Sequence, residues 1–142
     1  MYSAKEAAKI TGLSTATLRY YEKEKLLPKI ARTAQKYRQY SVEDIEWIKM
    51  IQCLRMANVP IHSVKQYVSL LKQGGKTLTQ RYELVLCYKN DIEKQMLDLK
   101  RALDLTENKL MFYEELLKEP VNTDMTYLEE WHLFKNGGKK KE

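Results

Sequence analysis

Cysteine is scarce in this chain of 142 residues, which holds only Cys53 and Cys87, 34 positions apart and outside any Cys-x-x-Cys or Cys/His cluster. That spacing excludes a disulfide framework and a zinc module, and it predicts a reducing compartment. Glycine (5) and proline (3) are few, so the chain has little means of turning and long helices must dominate. No apolar run approaches the roughly 18 residues of a membrane span, and the opening MYSAKEAAKI has no signal-peptide core. A cytoplasmic protein with no membrane partner is therefore expected. Two isolated histidines, His62 and His132, give no metal set. With no Gly-rich phosphate loop and no paired nucleophile and base, neither an enzyme nor a bound cofactor is expected.

Charge, by contrast, is plentiful and uneven. Lys and Arg number 25 against 19 Asp and Glu, for a net charge of +6. Residues 1–76 carry 14 basic and 6 acidic side chains, whereas residues 77–142 carry 11 and 13. The basic half suits a polyanion, and nucleic acid is the natural one.

Helix signals are dense in that half. Ser3 with Glu6 three residues on makes a capping box ahead of Ala4, Ala7, Ala8 and Ile10, and Gly12 ends the segment. Ser14 then caps a second helix running to about Glu24, with Leu18 and Tyr21 on its inner face. Two short helices around a glycine turn, spanning about 3–24, make a helix-turn-helix. The face left outward carries Thr15, Thr17, Arg19 and Tyr20, groups that bond phosphates and base edges.

After Pro28, residues 29–40 are too basic for a core strand and read as a short two-stranded hairpin with Arg32, Lys36 and Arg38 around its tip. Ser41 and Asp44 repeat the capping box and open a third helix, whose stripe runs through Ile45, Ile48, Ile51 or Cys53, Leu54 and Ala57. Asn58 can end it in a left-handed conformation, and Pro60 opens a fourth helix with Ile61, Val64, Val68 and Leu71 inward. That second helix pair covers about 42–73 and stops at Gly74-Gly75.

The most regular signal lies beyond. Leu78, Tyr82, Val85, Lys89, Ile92, Met96, Leu99, Leu103, Thr106, Leu110, Tyr113 and Leu117 follow one another in steps of four and three. A helix over residues 77–118, on the order of 60 Å long, has no head large enough to cover such a stripe, so it should pair with a second copy. Val85, Ile92, Met96, Leu99, Leu103, Leu110, Tyr113 and Leu117 are its dimerisation residues, while Tyr88 and Tyr127 are expected to join the coil packing. Pro120 ends the helix. Within residues 119–142, Thr123 should cap a short helix bearing Leu128, Trp131 and Phe134, and residues 137–142 should form a disordered basic tail.

Thr17-Leu18-Arg19-Tyr20-Tyr21-Glu22, then Tyr37-Arg38-Gln39-Tyr40, then Ser41-Val42-Glu43-Asp44-Ile45 resemble, in that order, the MerR family of bacterial transcription regulators. The resemblance covers about residues 1–118. It implies a mainly α protein: a winged helix-turn-helix domain over 1–75 and an antiparallel coiled-coil helix over 77–118 that makes a homodimer. Such a dimer binds an inverted repeat in double-stranded promoter DNA between elements set too far apart, and distorts it so that RNA polymerase can use both. The DNA contacts it implies fall on Ser14, Thr15, Thr17, Arg19 and Tyr20 of the second helix and on Lys36, Tyr37 and Arg38 of the wing, with Tyr40 beneath. Lys36 departs from the pattern, since the family usually has glycine there, and this bears on the wing's turn.

The effector is read from the same resemblance. Metal-sensing members carry cysteines after the dimerising helix, and residues from 118 onward have none. Drug-sensing members have a larger terminal domain. Asp44-Ile45-Glu46-Trp47-Ile48-Lys49 with Cys53-Leu54-Arg55 looks like the branch that answers aldehydes and other electrophiles through one cysteine, and Cys53 falls at its place. A thiolate attacks such carbon centres, although a free cysteine often only fills space. Two other readings stay open: a noncovalent effector bound where the terminal helix meets the long one, and a coiled-coil adaptor whose basic head has no DNA function.

Overall fold

The computed structural model describes residues 1–140. Its elements are β1 (Tyr2–Ser3), α1 (Ala4–Thr11), α2 (Thr15–Lys23), β2 (Ala31–Arg32), β3 (Arg38–Tyr40), α3 (Val42–Met56), α4 (Ile61–Lys72), a single 3-10 turn (Gly74–Thr77), α5 (Leu78–Leu116) and α6 (Tyr127–Lys140). They group into one compact unit, Met1–Asn90, and a second that begins at Asp91.

In the first unit the expected caps are present. The Ser3 hydroxyl accepts from the Glu6 N–H at 3.1 Å, and the Ser3 N–H donates to the Glu6 carboxylate at 3.0 Å. Ser41 and Asp44 repeat this reciprocal pair at 3.0 and 2.9 Å. Gly12 stands at φ +75°, a left-handed conformation that ends α1 and sets the tight entry into α2. Asn58 ends α3 in the same way at φ +63°.

The core holds Ala7, Leu18, Tyr21, Leu26, Ile30, Tyr40, Ile45, Ile48, Ile51, Val64 and Val68. On α3 the choice between Ile51 and Cys53 falls to Ile51, which is fully buried, while Cys53 is exposed. Ile10, expected to pack with α1's alanines, is exposed at 44%. Several single bonds lock helix to loop: the Trp47 indole N–H donates to the Leu26 carbonyl at 2.7 Å, and the Gln52 amide to the Thr11 carbonyl at 3.0 Å.

Three features of this unit differ from the sequence reading. The hairpin supplies two strands of a three-stranded sheet ordered β1-β3-β2, with β3 central, Tyr2 opposite Tyr40 and Ala31 opposite Gln39. A strand of two residues abutting a helix cap has no alternation to reveal it. Tyr88, expected in the coil, belongs to the head core instead. Its hydroxyl donates to the Ser63 carbonyl at 3.3 Å and its ring meets Tyr67 edge-on at 6.3 Å. The first turns of α5 therefore belong to the head, because Leu84 and Tyr88 lie on a different face from the regular stripe.

In the second unit α5 continues to Leu116 and α6 packs back on it through Phe112 and Phe134, ring centroids 5.3 Å apart and near perpendicular. The Lys109 ammonium sits 4.0 Å above the Phe134 ring. Thr126 rather than Thr123 caps α6: its hydroxyl accepts from the Glu129 N–H at 3.2 Å and donates to the Glu129 carboxylate at 2.9 Å. The reason is the carboxylate three residues on, which Thr123 lacks. Of the apolar face assigned to this helix, Phe134 is half-buried, whereas Leu128 and Trp131 are about half exposed. Helix α6 also runs through Gly137 to Lys140, where a disordered tail was expected. Two helical glycines cost about 1 kcal/mol each but do not break a helix as proline would. The last two positions of the expected tail, Lys141 and Glu142, lie outside the described residues. Among the described residues no helix is long and apolar enough to cross a membrane, and no group of three or more His, Cys, Asp or Glu is placed to hold a metal ion.

Candidate nucleic-acid interface

Leu18 and Tyr21 go inward from α2, which turns the intervening positions to solvent. Arg19 is exposed, Tyr20 is 46% exposed, and Thr15 and Thr17 are half-buried. Ser14 has a structural task as well. Its hydroxyl accepts from the Thr17 N–H at 3.0 Å and bonds the Thr17 hydroxyl at 2.9 Å, so it caps the helix and orients a threonine of the outward face. Tyr20 and Tyr21 are tilted neighbours, ring centroids 6.3 Å apart; burial pushes the Tyr21 phenol's pKa up. The chain thus divides two adjacent tyrosines between core and surface.

The wing is held to this helix by one carboxylate. Glu22, on α2, accepts from Arg38 Nε at 3.3 and 3.2 Å and from Arg32 Nη2 at 3.1 Å. Both arginines flank the β2–β3 turn, so the wing cannot swing without breaking a two-arginine clamp. The sequence reading gave Arg38 a direct role on DNA and gave Glu22 none. Its one visible signal is position: an acid three residues beyond Arg19 on a helix whose outward face is otherwise suited to a polyanion.

The wing's turn resolves the oddity of Lys36. That residue stands at φ +70°, the conformation glycine adopts most easily. The turn is closed by the Lys36 N–H donating to the Thr33 carbonyl at 2.8 Å and by the Tyr37 N–H donating to the Thr33 hydroxyl at 3.1 Å. Lys36 and Tyr37 stand out at the tip, Tyr37 at 72% exposure, while Arg38 is half-buried at the root. Tyr40 is fully buried beneath, and burial pushes its phenol's pKa up.

Behind the interface, α2 is anchored to α4. Glu24 pairs with Lys65, whose hydrogen bond and charge hold the Glu24 carboxyl below the usual carboxylate range. The Lys72 ammonium donates to the Lys25 and Leu27 carbonyls at 3.3 and 3.2 Å, tying the α2–β2 connection to the end of α4. The expected contacts on α2 and the wing are thereby placed on two elements joined through Glu22. Cys53 is separate from them, exposed on α3, with Lys49 one turn earlier pairing with Glu46 at 3.2 Å.

Comparison with known proteins agrees with this geometry. The family model for MerR HTH family regulatory proteins matches residues 2–71. A helix-turn-helix transcriptional regulator of Haemophilus influenzae is 33% identical over 114 residues, covering 80% of this chain and 84% of that one. Among solved structures, HiNmlR, a MerR family regulator lacking the sensor domain and bound to promoter DNA, is similar with a TM-score of 0.79 at 32% identity, covering 84% of this chain and 95% of that one. A MerR family regulator from Listeria monocytogenes is similar over the full length of both chains, with a TM-score of 0.74 at 26% identity. These relatives are regulators and not enzymes. The chain belongs to the MerR family of helix-turn-helix transcriptional regulators.

Proposed function

We propose that the chain works as a cytoplasmic homodimer that binds promoter DNA, each subunit setting α2 and the wing on one half of an inverted repeat. The observation that carries this reading is the outward face of α2, with Thr15, Thr17, Arg19 and Tyr20, braced against a cationic wing by Glu22. In this arrangement Arg19 forks onto a phosphate or a guanine edge and Tyr20 gives its hydroxyl to a phosphate. Lys36 and Tyr37 meet the backbone from the wing tip, and Arg38 adds charge at its root. HiNmlR, a relative of similar length, was crystallised on promoter DNA, which supports transferring the contact surface to this chain. Bending and undertwisting a promoter whose elements are too far apart would let RNA polymerase engage both, a readout of DNA deformability rather than of bases alone.

The trigger in this reading is addition of an electrophile to the Cys53 thiolate. Its exposure on α3 supports that role, because a reagent can reach it without unfolding the head. A noncovalent effector is the second reading. It is favoured by a cavity of about 470 Å³ in the second unit, lined by Tyr113, Leu117, Val121 and Met125 with Glu115 and Glu130. Promoter-reporter induction in the Cys53→Ser variant separates them. Loss of the aldehyde response with DNA affinity intact supports the thiol trigger, and retained induction moves the effector to the cavity.

A further inference from the structure

A basin opens in the first unit between the end of α2, the root of the wing and the end of α4. Its volume of about 370 Å³ lies in the range of small-ligand cavities and leaves room beyond a bare phosphate ion. Lys25, Lys29, Arg32 and Lys72 stand around it with Glu22 as the one acid of the lining, while Leu27, Pro28 and Ile30 give it an apolar side.

Most of this positive charge is not spent on internal partners. Glu22 already serves Arg32 and Arg38 together. Lys72 gives two of its three protons to the Lys25 and Leu27 carbonyls and keeps one. Among the described residues no acid pairs with Lys25 or Lys29. Lys25 also holds a left-handed backbone at φ +60°, directly after the α2 cap, where glycine stands more easily. The turn is closed by the Lys25 N–H donating to the Glu22 carbonyl and the Leu26 N–H to the Tyr21 carbonyl, each at 3.0 Å. A lysine at that strained position sets a cation at the edge of the basin. An anion with a small organic body matches such a lining. A phosphomonoester is close to a dianion at pH 7.5 and offers acceptor oxygens to a guanidinium and two ammonium groups at once.

We propose that this basin binds a small phosphomonoester, its phosphate held by Lys25, Lys29 and Arg32 and its body lying on Leu27, Pro28 and Ile30. Binding draws the Arg32 guanidinium from Glu22 and so releases one half of the clamp that holds the wing to α2. The ligand thereby lowers DNA affinity, and DNA lowers the affinity for the ligand by the same factor. This coupling rests on the DNA-binding reading above, whereas occupancy of the basin does not.

Phenyl phosphate is the probe, with phenol and inorganic phosphate as its two halves. The nitrogen-15-labelled full chain, free of DNA, would be titrated with each at pH 7.5 and constant ionic strength. Phenyl phosphate should give saturable amide shifts centred on residues 22–32 and 72, and should bind more tightly than inorganic phosphate or phenol. Its affinity should fall about tenfold or more in the Lys25→Gln/Lys29→Gln chain, which loses two charge-assisted hydrogen bonds. Non-saturating shifts scattered over the lysines of the head, equal binding of phenyl phosphate and inorganic phosphate, or unchanged affinity in the double variant overturns the site. A duplex selected from a random pool then tests the coupling. The probe should weaken DNA binding by the unsubstituted chain and leave that of the double variant unchanged. Equal weakening in both chains places the competition on the α2 face and overturns the coupling, as does no weakening in a chain that binds both ligands. A double variant that loses DNA affinity without the probe marks the basin as a contact for the DNA backbone and overturns the proposal. A chain that binds the probe but no duplex defeats the DNA-binding reading and leaves the site standing.

Discussion

Arg19 and Arg38 carry the same charge but stand in different surroundings, and substitution should separate them. Arg19 is exposed, whereas Arg38 is half-buried against Glu22. Arg19→Ala should weaken operator binding by about 1–3 kcal/mol while leaving the melting temperature unchanged, as checked by binding titration beside thermal melts. Glu22→Gln should act differently. It removes the charge that two guanidinium groups share, so the wing loosens, and DNA affinity falls even though a negative charge has been taken from a DNA-binding surface. Simple electrostatics predicts tighter binding for that variant, so the sign of the change decides whether Glu22 is a brace. Lys36 gives a third contrast. Lys36→Gly should relieve a left-handed backbone and stabilise the head by a few tenths to about 1 kcal/mol, yet bind DNA less tightly for want of a cation at the wing tip.

At the scale of the element, α1 is fixed at its start and α2 at its end by a carboxylate with a depressed pKa. Ser3 hydrogen bonds lower the Glu6 carboxyl pKa, and the Lys65 hydrogen bond and charge lower that of Glu24. A depressed carboxyl pKa adds stability that is fully present above the ordinary value of 4.5 and is lost as the pH falls through the lowered one. Glu24→Gln should therefore lower the melting temperature near neutrality, with the gap to the unsubstituted chain closing as the pH drops below 4.5. Most of this architecture was legible in the sequence, because capping boxes at Ser3 and Ser41, the glycine stop at position 12 and the Ile45/Ile48/Ile51 stripe are local patterns whose physics acts within a few residues. What escaped depends on distant partners. β1 exists only because β3 lies beside it, Tyr88 is buried only because α4 meets the start of α5, and Glu22 has a task only because β2 and β3 bring Arg32 and Arg38 to it. At Thr123 and Thr126 the rule was right and its application wrong: of the two threonines, Thr126 has a carboxylate three residues on.

For the whole molecule, basic charge gathers in residues 1–76 while the remainder is slightly acidic. The division matches two tasks, meeting a polyanion and presenting a long apolar stripe to a second copy. An inverted repeat needs both at once, since a lone head meets only one half-site and a paired stripe without heads meets none. The contact surface proposed on α2 and the wing follows from residue types and order, whereas its bracing and the exposure of Cys53 needed the fold. The central claim is that the outward face of α2 reads DNA in a dimer, and one measurement tests it most directly. Duplexes selected by the protein from a random pool would be titrated with the unsubstituted chain and with Arg19→Ala from about 50 to 200 mM salt. The account predicts an enriched inverted repeat, affinity that falls steeply with salt, and a loss of about 1–3 kcal/mol for the variant at every salt concentration. Failure to enrich any repeat, or identical curves for the two proteins, would contradict it.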